Sequence, residues 1–276
     1  MASAPQANLP LFYNDLMPLN TRDHADYRAK STDQAKWLVG QHAIPLTADE
    51  FAQAARHFPV VFSAGDNPVP LALMGLNEGV NTFVDDKGKF LEDDVYIPAY
   101  VRRYPFLLAK LSRDNDDMSL CFDPSSKLVG EFKTGEKLFE DGKPTQHVQN
   151  VMQFCERFEQ AGQRTAKMVE ELQKADMLMD GEVGIQPASA KDGKDQGKPF
   201  LYRGFRMVNQ EKLRDLPAEK VAEWNKSGLL MLVHAHLMSL ELMRGIFARQ
   251  MQQGKGPKPE KDAATADAPV EIKSTN

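Results

Sequence analysis

The chain has 276 residues, 42% of them hydrophobic and 26% charged, enough to bury one large core or two small ones. Its formal net charge of −5, with acidic and basic side chains interspersed, excludes the broad cationic surface that a phosphate backbone demands, so nucleic acid is not expected as a partner. Met1 to Leu11 carries neither a basic leader nor an apolar signal run, and no window approaches the ~20 apolar residues of a membrane span. Two cysteines, Cys121 and Cys155, make no disulfide framework, so the expectation is a cytoplasmic protein with reduced thiols.

In chain order, the first organised element is a helix over 47–57. Thr47 is placed to cap it and Glu50 to reach back and complete a capping box, while Phe51, Ala54, Ala55 and Phe58 share one face. Pro59 ends it. Three β-type stretches follow, Val60 to Phe62, Val69 to Leu76 and Thr82 to Phe90, the last folded around an Asp85-Asp86-Lys87-Gly88 turn. The β-rich part continues through Tyr96 to Leu111 and Met118 to Phe122, with a polar turn at 113–117 between them.

After Pro144 the period changes. Val148, Val151, Cys155, Phe158, Ala166, Val169 and Leu172 recur every three or four residues and predict one amphipathic helix from Gln146 to Met179, roughly 50 Å long, stopped at Asp180-Gly181. Two more β-type stretches, Glu182 to Gln186 and Pro199 to Val208, flank a polar segment at 191–198 that reads as a hairpin loop. Pro217 opens a short helix over Ala218 to Lys226, and Gly228 separates it from an apolar helix over Leu229 to Gln250. Residues 251–276 lack aromatic and periodic apolar side chains and are expected to be a disordered tail. The fold class is α+β: a β-rich N-terminal part (8–130) with short helices, and a long amphipathic helix leading a helical C-terminal part (144–250), sharing one core in a single domain, 1–250.

The densest constellation is "YIPAYVRRYPFLL", which gathers Tyr96, Tyr100, Arg102, Arg103, Tyr104 and Phe106 with two prolines. Aromatic rings give rigid contact area and guanidinium forks pair bidentately with carboxylates, so the strip suits an acidic terminus or side chain of a peptide or protein partner. Adjacent arginines in a strand-like segment face opposite ways, one pairing internally and the other left free. The plainer alternative is packing at a strand-to-helix junction, with the arginines answering Asp93 and Asp94.

Other constellations carry less. His24 and Asp26 have the two-residue spacing of an iron-binding pair but lie in a polar, irregular segment. His234 and His236 point to roughly opposite sides of a helix and cannot chelate one ion; His236 shares the apolar face with Leu229, Leu232, Leu240 and Met243 and reads as a core histidine. The acidic runs at 85–86, 92–94 and 114–117 lack calcium-loop spacing, and Cys121 and Cys155 read as structural. No phosphate-cradling glycine loop or serine elbow is present, and no catalytic residue, metal or cofactor is assigned.

Whole phrases of the chain resemble the SapC-like family and occur in its order: "LPLFYNDLMPLNTRDHADYR", "IPLTADEFAQAARHFPVVF", "ALMGLNEGVNTFVDDKGKF", "YIPAYVRRYPFLL" and "RGFRMVNQEKLRDLPAEKVAEWNKSGLLMLVHAHLMSL". The match covers about residues 8 to 245; the loop at 191–198 and the tail after Gln250 depart from it. The resemblance implies a bacterial protein and a fold rather than a reaction. The family's name refers to a bacterial surface layer, and the similarly named membrane permease is a different protein. The expected function is a soluble binding or accessory protein acting on a peptide or protein partner, linked by the family name to surface-layer or nutrient-uptake systems. The alternative is an enzyme with an unrecognised active site, such as an accessory of peptide or amino-acid modification.

Overall fold

The computed structural model describes residues 9–111, 117–186 and 199–257. Among these, nine strands have three residues or more: β1 (Ala43–Pro45), β2 (Val60–Ser63), β3 (Pro70–Leu73), β4 (Phe106–Lys110), β5 (Met118–Phe122), β6 (Leu178–Asp180), β7 (Val183–Ile185), β8 (Phe200–Tyr202) and β9 (Phe205–Val208). The helices are α1 (Phe51–Ala54), α2 (Ala99–Arg102), α3 (Gln146–Lys174), α4 (Gln210–Arg214), α5 (Ala218–Ser227), α6 (Leu229–Ser239) and α7 (Leu242–Gln252).

Val60, Val61, Phe62 and Ser63 are all buried, and a strand covered on both faces belongs in the middle of a sheet. Accordingly β2 is the central strand of a five-stranded antiparallel sheet ordered β6-β9-β2-β3-β1. Its neighbour β9 comes from the far end of the chain, with Phe205 opposite Ser63 and Arg206 opposite Phe62. The two sequence regions therefore share one core through a common sheet, and the α+β expectation holds. A separate hairpin, β4 and β5, pairs Phe106 with Phe122 and takes up Met17–Pro18 as a third strand.

The long helix α3 has 29 residues, about 43 Å at 1.5 Å per residue, and serves two of the three hydrophobic clusters among the described residues, the large shared core and a smaller one. Val148 and Cys155 pack with Phe106, Leu108, Leu120 and Phe122 in the smaller one, whereas Met168, Val169 and Leu172 enter the larger one. Ala161 and Thr165, not Ala166, continue the buried stripe between them. The expected run to Met179 is corrected: α3 ends at Lys174, Asp176 turns left-handed at φ 51°, and Met177 N–H closes on Leu172 O at 2.9 Å. Leu178–Asp180 then pairs with β9 as the sheet's edge, so strand pairing overrides helical periodicity. Gly181 follows because a Cβ there would sit 2.1 Å from the Phe205 ring.

Three other boundaries shift. The helix expected over 47–57 is a 3-10 turn at Ala48–Glu50 followed by α1, because the buried Glu50 carboxylate is engaged on several sides. Thr82 to Phe90 keeps the expected turn, with Asp85 Oδ1 accepting from the amides of Lys87 and Lys89 at 2.9 Å, but its strand pairing is limited to isolated Val84–Phe90 and Gln34–Lys89 bridges. The apolar helix divides into α6 and α7 at 240–241, and α7 runs past Gln250. Gln250 is fully buried, its Oε1 accepting from Leu76 N–H at 2.6 Å, while Gln253 and Lys255 donate to the Thr82 and Asn81 carbonyls at 2.9 and 3.0 Å. The expected disorder from 251 is thereby corrected through 257; residues 258–276, the loop at 191–198 and the turn at 113–116 lie outside the described residues.

Among the described residues, Leu229–Gln252 is long and apolar enough to cross a membrane by length and composition alone: it contains an 18-residue stretch of mean hydropathy 1.3, of which 33% is buried in the fold. Its inward side includes His236, Ser239 and Gln250 beside Val233, Met243, Ile246 and Phe247. Met231 and Met238 stand exposed on the other side.

Candidate functional site

The segment around α2 is organised by Glu50, which is only 6% exposed. Its Oε1 accepts from the Tyr96 hydroxyl at 2.8 Å and from Ala99 N–H at 2.6 Å; its Oε2 accepts from Thr47 N–H at 3.1 Å and the Thr47 hydroxyl at 2.8 Å. A buried carboxylate needs several donors to replace its water, and these four tie the start of α2 to the turn before α1. Burial and the neighbouring Glu50 push the Tyr96 phenol up to about 12, so it stays a neutral donor.

The strand-like geometry expected for the two arginines is replaced by a helical turn, with Pro98 at its N-cap. Successive side chains then diverge by about 100°. That still separates them. Arg103 turns inward, 7% exposed, with its guanidinium 4.3 Å from the Phe158 ring, 4.4 Å from Tyr100 and 5.8 Å from Tyr13. Its ion pair is with Glu159 at 3.5 Å rather than with Asp93 or Asp94. Burial holds the Glu159 carboxyl above its usual range despite that arginine, and three ring faces surround the Arg103 charge on its other sides.

Three more residues of the strip are interior. Tyr100 donates to Leu11 O at 3.3 Å, Tyr104 donates to Asp123 Oδ2 at 3.3 Å, and Phe106 packs in the smaller core. Burial raises the phenol pKa of both tyrosines.

Arg102 turns outward. Its Nε donates to Ile97 O at 2.9 Å and its Nη2 to the Tyr96 hydroxyl at 3.3 Å, while its guanidinium lies 5.3 Å from the Phe154 ring. These contacts occupy two of five N–H groups and leave the terminal fork of both Nη atoms open for a bidentate anion. With Tyr96 and Arg102, a shallow groove of about 410 Å³ is lined by Gln53, Arg56 and His57 around the end of α1 and by Asp94, Val95 and Ile97. Among the described residues neither Arg56 nor Arg102 has an ion-pair partner, although Asp94 lines the same groove.

Of the six residues singled out in the sequence, two therefore line the groove: Tyr96 and Arg102. Arg56 and His57 escaped sequence reasoning because they lie some forty residues away and reach the groove only through the Glu50 cluster. A larger hollow of about 590 Å³, lined by Ile185, Gln186, Arg244, Phe247 and Met251 among others, holds one charged side chain, Arg244, and adjoins the end of a described segment.

The remaining candidates are structural. His24 Nδ1 accepts from Asn20 N–H at 3.1 Å and its ring meets Tyr27 and Phe122, while Asp26 is exposed. His236 is fully buried: Nδ1–H donates to Val60 O at 2.6 Å and Nε2 accepts from Val208 N–H at 3.1 Å, bolting α6 to β2 and β9. Burial lowers its pKa to about 4, and the ring is neutral. His234 is exposed. Cys121 and Cys155 are free and buried, with burial pushing their thiols up to about 11 and about 12. Among the described residues no group of three or more His, Cys, Asp or Glu could hold a metal.

A SapC family model matches residues 19–246, most of the chain. The chain belongs to the SapC family. No curated protein and no solved structure matches it. Membership thus brings no partner's name to the groove of this SapC protein, and its reading rests on the residues that line it.

Proposed function

We propose that this SapC-family chain is a soluble accessory protein of the cytoplasm that binds a peptide or protein partner through the groove at Arg102. The observation that carries this reading is the posture of that side chain: an exposed guanidinium held by Ile97 O and the Tyr96 hydroxyl, with no carboxylate partner among the described residues. A pre-positioned fork loses little side-chain freedom on binding, and a charge-assisted bidentate contact is among the stronger polar contacts available. The groove is shallow and open, which suits a partner lying across it better than a small molecule that must be enclosed. The high thiol pKa values are compatible with a reducing compartment, where Cys121 and Cys155 remain inert. Any surface-layer or nutrient-uptake link would follow from the identity of the partner.

The test is affinity capture from the native host with wild-type and Arg102→Ala baits side by side, read by mass spectrometry. Partners held by wild type and lost from the variant support the reading. Identical captures with both baits place the contact elsewhere.

A further inference from the structure

The chemistry of the groove narrows what the partner presents there. A carboxylate is satisfied by one bidentate guanidinium, and Arg102 alone supplies that. The groove holds more. Arg56, exposed just past the end of α1, gives its backbone N–H to Gln53 O, but its guanidinium makes no hydrogen bond or ion pair with any described residue, and His57 beside it contributes an imidazole. Among the residues that line the groove, two guanidiniums face the single carboxylate of Asp94, while the buried Glu50 carboxylate behind them is taken up by Tyr96, Ala99 and Thr47. Proteins normally spread exposed like charges or pair them, so two unpaired guanidiniums converging on one hollow are suited to a group with more charge and more acceptor oxygens than a carboxylate.

We propose that the groove recognises a phosphoryl dianion, carried by a peptide or protein partner or supplied free. This rests on the reading of the groove as a binding site. The terminal fork of Arg102 takes two oxygens of the phosphoryl group, and Arg56 takes the third or shares one of them. His57 adds a further donor when it carries the proton. Gln53 offers its amide at the edge, and Asp94 selects against a partner crowded with further acidic side chains. The Tyr96 hydroxyl is already given to Glu50 and holds the fork rather than the ligand.

The experiment uses the full chain and four probes: a degenerate heptapeptide library with central phosphoserine, the same library with serine, the same library with glutamate, and inorganic phosphate alone. Binding is read by fluorescence polarisation for the libraries and by calorimetry for phosphate. The phosphoserine library should bind at least about 10-fold more tightly than either other library. Arg56→Gln and Arg102→Gln should each reduce that preference by about 10-fold, and Arg102→Lys should restore only part of it, because an ammonium has no planar fork. Near-ultraviolet circular dichroism establishes that each variant is folded, and Arg56, whose guanidinium bonds to no described residue, is the cleaner of the two. Inorganic phosphate binding as tightly as the phosphoserine library assigns the site to free phosphate. Phosphate far weaker than the library assigns it to a phosphorylated partner. Equal binding of the phosphoserine and glutamate libraries, with dependence on Arg102 retained, overturns the dianion and leaves the carboxylate-binding groove standing. Loss of all probe binding together with Arg102-independent capture overturns both.

Discussion

Arg102 and Arg103 are consecutive in sequence and opposite in circumstance. Arg103 is enclosed by Phe158, Tyr100 and Tyr13 and sits 3.5 Å from Glu159, whereas Arg102 rests on the rim of an open groove with its fork turned to solvent. The difference teaches that one turn of helix, fixed by the donors around Glu50, is enough to divide a pair of identical side chains between stability and recognition. The interior arginine joins the 10–14 segment, α2 and α3; the exterior one bonds only to the loop that aims it and otherwise rests near the Phe154 ring of α3.

The comparison breaks most visibly at Arg103. Replacing it with alanine should cost about 3–5 kcal/mol, since it removes the cation from three ring faces and leaves Glu159 without its partner. Chemical denaturation measures this directly. Arg103→Met, which keeps the volume but not the charge, should recover much of the loss. If Arg103→Ala is as stable as wild type, the enclosure is incidental and the contrast with Arg102 collapses.

A buried neutral imidazole sharpens the contrast by pH. The His236 imidazole titrates near pH 4 in the folded protein and near ~6.5 when unfolded, so the unfolded chain binds the extra proton between those values. Stability from this group is fully present above about pH 6.5 and is lost as pH falls through 4, a total of about 3 kcal/mol. Denaturation midpoints between pH 4 and 7 should show that slope in wild type and lose it in His236→Gln. An unchanged slope in the variant would assign the acid sensitivity to other groups.

The Glu50 cluster connects the two environments, so Glu50→Gln should affect both. An amide offers one acceptor oxygen where four donors converge, and the loss should be about 2 kcal/mol by denaturation. The Tyr96 titration, followed by ultraviolet absorbance, should move down from about 12 as the neighbouring carboxylate is neutralised. Partner affinity should fall with it, because Tyr96 steadies Arg102.

The smallest effect on stability belongs to Arg102. Alanine there should change the unfolding free energy by no more than about 0.5 kcal/mol while weakening partner capture by about 1–3 kcal/mol. A variant that unfolds instead would return Arg102 to the packing role that its neighbour holds.

Much of the local structure was legible in the sequence because local physical chemistry determines it. The reach of Glu50 to Thr47, the Asp85 to Gly88 turn, the start of α3 after Thr145 and the inward and outward senses of His236 and His234 all depend on residues within one or two turns of one another. The sequence pattern also separated the arginines, although it assigned them to a strand; strand and helix alike send adjacent side chains apart. Tertiary structure decided what depends on partners distant in the chain. The end of α3 was set by pairing of Leu178 with Val208, not by its own periodicity. Which arginine was enclosed was set by Phe158 and Tyr13, about fifty-five residues later and ninety earlier. The groove itself exists because Glu50 accepts from both Thr47 and Ala99, drawing Arg56 and His57 beside Arg102, and no spacing rule along the chain encodes a hydrogen bond across 49 residues.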